Sequence, residues 1–114
     1  PATFNRVMSW VSYLYDIHGE LYWGVNAADA NATKAWEDQW IAGGNGDGSL
    51  TYSGLPSIIG GASVIPIASQ RLKHIRDGLE DLEYMYAAEA KAGRLAVLKV
   101  VRSVVTSTHS WSHE

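Results

Sequence analysis

The chain has no cysteine and little charge. Without cysteine it has no disulfide, no thiolate metal site and no cysteine nucleophile. Charged residues are 18% of the 114, below the roughly 25% usual for soluble domains, while hydrophobic residues reach 46%. A chain of this length is the size of one domain and can bury a core, and its low polarity predicts that more surface than usual is covered. No apolar run approaches the roughly 20 residues needed to span a bilayer, and Pro1 to Arg6 lacks the layout of a signal peptide. No membrane partner is expected. A basic block is missing as well. Before Pro66, Arg6 and Lys34 face six acidic residues, and after it seven basic residues nearly balance six acidic ones spread along the chain. No polyanion would prefer such a surface, so nucleic acid is not an expected partner. There is neither a Ser-His-Asp ordering nor a phosphate-binding glycine loop. His109 and His113 are four apart but lack an evident third ligand. No metal and no cofactor is expected.

Helical spacing dominates the rest. Phe4, Val7, Met8, Val11, Leu14 and Tyr15 recur at intervals of three and four, predicting an amphipathic helix from Ala2 to Ile17 that Gly19 ends. Glu20 to Val25 is short, apolar and aromatic, which predicts a buried strand. Asn26 to Gly48 reads as a long loop, with a short helix around Thr33 to Trp40. Ser49 to Tyr52 reads as a short strand, and Ser53-Gly-Leu-Pro56, Gly60-Gly61 and Ile65-Pro66-Ile67 as an irregular connection. Ser69 is placed to N-cap a helix running to Ala92, with Leu72, Ile75, Leu79, Leu82 and Tyr86 on one face and Gly93 as its stop. Leu95, Leu98, Val101 and Val105 predict a second helix over Arg94 to Thr106, folded back as a hairpin. Residues 107–114 read as a tail. The fold class is α/β, in the order helix, strand, long loop, helix, helix. One apolar strand cannot make a sheet, so neighbours from missing sequence or another copy are expected on its edges.

Two motifs carry tempting chemistry. Asn45-Gly-Asp47-Gly48-Ser-Leu50 matches the middle of an EF-hand loop, but the first and twelfth positions would be Gly43 and Gly54, so a tight glycine turn is the better reading. On the long helix Arg76 can reach Glu80 or Glu83, while Asp77 and Asp81 are expected to point outward. Paired glycosidase carboxylates project into a cleft from separate elements about 5 to 10 Å apart, so these read as salt-bridge structure.

The strand Leu21-Tyr-Trp-Gly-Val-Asn26, with the course from Asn45-Gly-Asp-Gly48 to Arg76-Asp-Gly-Leu-Glu-Asp-Leu-Glu-Tyr84, resembles the C-terminal end of the catalytic barrel in glycoside hydrolase family 123-like proteins, a group that includes β-N-acetylgalactosaminidases. The resemblance covers roughly Phe4 to Ala92. One departure is Ser53, where the family usually has proline after the tyrosine of the turn. The resemblance implies that residues 1–106 are the C-terminal fragment of a (β/α)8 barrel, with Glu20 to Val25 its last strand, the long helix its closing helix and Gly78 packed closely against it. It further implies hydrolysis of N-acetylhexosaminides with the substrate's acetamido group as nucleophile, and an extracytoplasmic setting for a secreted enzyme. The adjacent acidic pair lies on an earlier strand of such barrels, so no catalytic residue is expected here and the chain should be inactive alone.

In such barrels the active site lies at the C-terminal ends of the strands. Strand alternation then places Tyr22 and Asn26 inward, as substrate contacts. Trp36, Trp40 and Tyr52 lie on or beside the long loop, and flat rings with a polar edge suit the apolar faces of sugars. The expected partners are a carbohydrate substrate and either the upstream barrel portion or another copy covering the strand. The alternative is a non-enzymatic carbohydrate-binding or self-assembling module.

Overall fold

A computed structural model describes residues 3–27, 34–41 and 44–106. The chain forms two compact units, one of residues 1–20 with 74–114 and one of residues 21–73. It is a mixture of helices and short strands, and every strand pair among the described residues is antiparallel. No helix of the described residues is long and apolar enough to cross a membrane.

The first unit is helical. Helix α1, Phe4–Tyr15, ends three residues before the expected glycine, at Asp16, which adopts the left-handed conformation with φ 58°. A short polar side chain tolerates that conformation, and Ser12 O accepts the N–H groups of both Asp16 and Ile17. Helix α4, Gln70–Ala92, belongs to this unit from His74 onward, and α5 is Arg94–Val104. Between them Gly93 sits at φ 80°, the positive angle for which glycine was expected. Tyr13 of α1, Met85 of α4 and Val97 and Val101 of α5 form the buried cluster, with Trp10, Leu14, Leu82 and Leu98 packed against it.

The helical stripes agree in part with those the spacing suggested: Leu82, Leu98, Val101 and Val105 lie in or against the core as expected. Leu79, Tyr86 and Leu95, expected inside, are exposed, whereas Gly78, Met85 and Val97 are buried. Gly78 approaches α1, not a barrel: a Cβ there would lie 2.6 Å from the Arg6 carbonyl oxygen. Asp81 likewise points inward, not outward. Its carboxylate accepts from Arg6 Nε and Nη2 at 2.7 and 2.8 Å and from the Trp10 indole N–H at 2.8 Å. The Arg6 hydrogen bonds, helped by Trp10, hold its carboxyl below the usual carboxylate range against the opposing effect of burial. Arg76 pairs with Asp77 at 2.6 Å and Glu80 at 3.7 Å, in keeping with a structural role.

The second unit holds α2 (Lys34–Glu37), β1 (Trp40–Ile41), β2 (Gly44–Asn45), β3 (Thr51–Gly54), α3 (Pro56–Ile59) and β4 (Ile65–Ala68). β1 pairs with β2, and β3 pairs with β4 in the register Thr51 to Ala68, Tyr52 to Ile67, Ser53 to Pro66 and Gly54 to Ile65. The Ile65-Pro66-Ile67 run expected as irregular is thus a strand. In a two-stranded sheet each strand is an edge, where a proline without N–H is tolerated.

The strand expected over Glu20–Val25 is not formed. Leu21, Trp23 and Val25 are 87%, 58% and 53% exposed, and regular pairing is limited to a bridge between Asn26 and Ser49. Around it Val25 O accepts the N–H groups of Leu50 and Thr51, and Ala27 N–H donates to Gly48 O. Among the described residues one edge is engaged, and Gly24 lies hard against Gly48, where a Cβ would come within 3.1 Å. The side-chain alternation nevertheless survives, with Tyr22 and Gly24 half-buried between exposed neighbours.

Candidate functional site

The expected substrate contacts all fall in the unit of residues 21–73, and the structure assembles two of them directly. Trp36, from the single turn of α2, packs on Tyr52 of β3 with ring centroids 5.5 Å apart and planes tilted by 49°. The Trp36 indole N–H donates to Ser53 O at 2.9 Å, which pins the ring to the strand. Tyr52 is half-buried, and with Thr51, Ser53, Val64, Ile65 and Pro66 it lines a cleft of about 220 Å³.

Behind this pair lie residues that the sequence reading passed over. Arg71, in the first turn of α4, donates from Nε to Ser49 O at 2.8 Å, from Nη1 to Gln39 Oε1 at 3.2 Å and from Nη2 to the Tyr52 hydroxyl at 2.5 Å. The Tyr52 hydroxyl donates to the same Gln39 oxygen at 2.9 Å. Gly46 makes room for the guanidinium: its φ is 76°, and a Cβ would lie 2.2 Å from Arg71 Cζ. A signal for Arg71 was present in the sequence. A cation in the first turn opposes the helix dipole, which marks a side chain held by something other than its own helix.

The remaining contacts are placed differently. The Tyr22 hydroxyl accepts the Gly48 N–H at 3.2 Å, so it braces the Gly46 to Gly48 turn. Asn26 is exposed and carries the bridge to Ser49. Trp40 is 67% exposed, and its backbone N–H is held by Asp38 Oδ1 at 2.9 Å. The turn resembling an EF-hand is a glycine turn with φ 76° at Gly46 and 69° at Gly48. Asp47 accepts the Trp23 indole N–H at 2.8 Å, while a Cβ on Gly48 would lie 2.4 Å from that indole. Trp23 is thus clamped at one edge and against the turn, another feature missed in the sequence.

Among the described residues no group of three or more His, Asp or Glu could hold a metal ion. His109 and His113 lie outside the described residues. The arrangement offers ring faces, one tyrosine hydroxyl and backbone carbonyls. Ring faces suit stacking, and the hydroxyl and carbonyls suit hydrogen bonding. No protein-family model, curated protein or solved structure matches the chain.

Proposed function

We propose that this chain is the closing C-terminal segment of a (β/α)8 barrel of the glycoside hydrolase family 123-like type, supplying one wall of a cleft for N-acetylhexosaminides. In this reading the acidic pair belongs to the rest of the barrel, and the substrate's acetamido group is the nucleophile. The observation that carries it is the alternation along residues 21–25: Leu21, Trp23 and Val25 stand 87%, 58% and 53% exposed beside half-buried Tyr22 and Gly24. Burying a large apolar side chain is worth about 1.5 to 3 kcal/mol, so a row of them in water favours a covering layer. A barrel strand carries such a row beneath its helices. Trp36 and Tyr52, held at their polar edges, support the cleft wall.

Assay of the 114-residue chain with an aryl N-acetyl-β-galactosaminide should give no turnover, and measurable hydrolysis would overturn the absence of an acidic pair. Methyl N-acetyl-β-galactosaminide should quench tryptophan fluorescence saturably, with affinity falling about tenfold in Trp36→Ala through loss of the stacked face. A lack of saturation up to the solubility of the sugar would remove the carbohydrate reading.

A second reading, a non-enzymatic carbohydrate-binding or self-assembling module, is favoured by one observation. Trp36, Gln39, Tyr52 and Arg71 form a complete cluster inside one compact unit. A discrete oligomer that dissociates on Trp23→Asp supports this module, aggregation or a molten chain supports the barrel segment, and a monodisperse, cooperatively melting monomer counts against both.

A further inference from the structure

We infer that the outer face of α4 and α5 is a self-association surface, on which the Tyr84 ring of one copy seats in an apolar groove of a second copy of this chain across a two-fold axis. The inference does not depend on either reading of residues 21–73, because every residue it uses lies in the helical unit.

The groove has a volume of about 410 Å³ and is lined by Trp10 of α1, by Met85, Ala88 and Ala92 of α4, and by Ala96 and Val100 of α5. Three of these side chains are single methyl groups, so a hollow is left where larger residues would close the gap between the two helices. Its polar groups are already engaged. Asp81, the one carboxylate on the lining, accepts from Arg6 Nε and Nη2 and from the Trp10 indole N–H. The floor therefore suits an apolar group. Tyr84 forms one rim of the hollow without filling it, for its ring is 75% exposed, and Val100 on the α5 side is 60% exposed. A large knob and a hollow of alanines thus share one face, about 6 Å apart along α4 from Tyr84 to Ala88.

That juxtaposition is what an isologous contact requires, since each copy must offer both the projecting and the receiving surface. In an antiparallel pairing of α4 with its copy, an axis midway between Tyr84 and Ala88 sets each tyrosine over the other copy's Ala88. The same axis levels Glu80 with the other copy's Lys91 to within one residue. Both side chains are exposed, and both lie within about 40° of Tyr84 around the helix. The contact is then charge-matched at each end, acid to base and base to acid. A uniformly acidic or basic partner would match only one end.

Sedimentation equilibrium of the 114-residue chain from about 1 to 300 μM should show a monomer–dimer equilibrium, in keeping with an interface at the small end of the range. Tyr84→Ala, which removes the exposed ring and keeps a good helix former, should weaken the dimer at least about thirtyfold. Glu80→Lys and Lys91→Glu should each weaken it by about three- to tenfold, and the double reversal should restore it, because the two copies then present the same pairs exchanged. Thermal melts monitor folding, and should Tyr84→Ala fail to fold, the charge reversals carry the comparison. A dimer indifferent to Tyr84→Ala, or a double reversal no tighter than the singles, overturns the inference. If Trp23→Asp dissociates the dimer and Tyr84→Ala does not, the inference falls and the self-assembling module stands. A monomer at every concentration overturns it as well, and aggregation without a discrete dimer overturns it in favour of a groove covered by a helix of the upstream barrel portion.

Discussion

Tyr13 is 1% exposed, yet its hydroxyl is partnered, donating to Glu89 Oε2 at 2.6 Å beneath an Arg94 guanidinium 4.7 Å from the ring centroid. Burial, then the hydrogen bond and charge of Glu89, push the phenol up to about 12, with Arg94 opposing. The unfolded phenol titrates near about 10, so at alkaline pH the folded state keeps a proton that the unfolded chain has lost. The resulting stability is fully present below pH of about 10 and is lost as the pH rises through about 12. Tyr13→Phe should therefore show a shallower alkaline decline than wild type in urea unfolding across this window, and identical declines would refute the assignment. This residue also shows what periodicity cannot give. The stripe on α1 was expected to include Tyr15, which is 49% exposed, while Tyr13 and the small residues Ser9 and Ser12 are buried. Spacing announces a helix, but the phase of its buried face depends on which neighbours it meets. The same limit hid Arg71 and Gln39, whose role at Tyr52 exists only through bonds spanning 19 and 13 residues.

Among the elements, α4 is the one most fully legible in advance. Its bounds, Gln70–Ala92, follow from chain-local chemistry: Ser69 Oγ accepts the Leu72 N–H at 3.2 Å as an N-cap, and Gly93 stops it. Its glycine was legible as a close approach but not as an approach to α1. Alanine favours a helix interior by about 1 kcal/mol over glycine, yet at position 78 the added methyl would lie 2.6 Å from the Arg6 carbonyl oxygen. Backbone cannot swing aside as a flexible side chain can. Gly78→Ala should thus destabilise by about 1 to 3 kcal/mol net, read as a lower urea midpoint, and a gain in stability would refute the contact. The strands were less legible. Glu20 to Val25 has strand composition, but among the described residues it is engaged along one edge near its end, while β4 was hidden by Pro66, a residue that an edge strand accepts.

At the scale of the whole molecule, the apolar burial is uneven. Tyr13, Met85, Val97, Val101 and Val105 are buried in the helical unit, whereas among the described residues the unit of residues 21–73 buries one large apolar side chain, Leu50. Local opening follows apolar contact density. Amides of α5 and of the Met85 region should therefore exchange with deuterium slowest, those of β3 and β4 should exchange at least about tenfold faster, and equal protection would refute the contrast. Local chemistry alone settled a cysteine-free composition of low charge, the three longer helices with the cap and stop of α4, and the glycine turn at Asn45 to Gly48, because spacing, caps and turn residues act over a few positions. The tertiary structure decided which helix faces are buried, that residues 20–25 form no strand beside the single bridge at Asn26, and that the Tyr52 hydroxyl points its proton at Gln39. Each of those outcomes depends on groups brought together from far along the chain, as Arg6 and Asp81 are across 75 residues, and no local pattern encodes such a meeting.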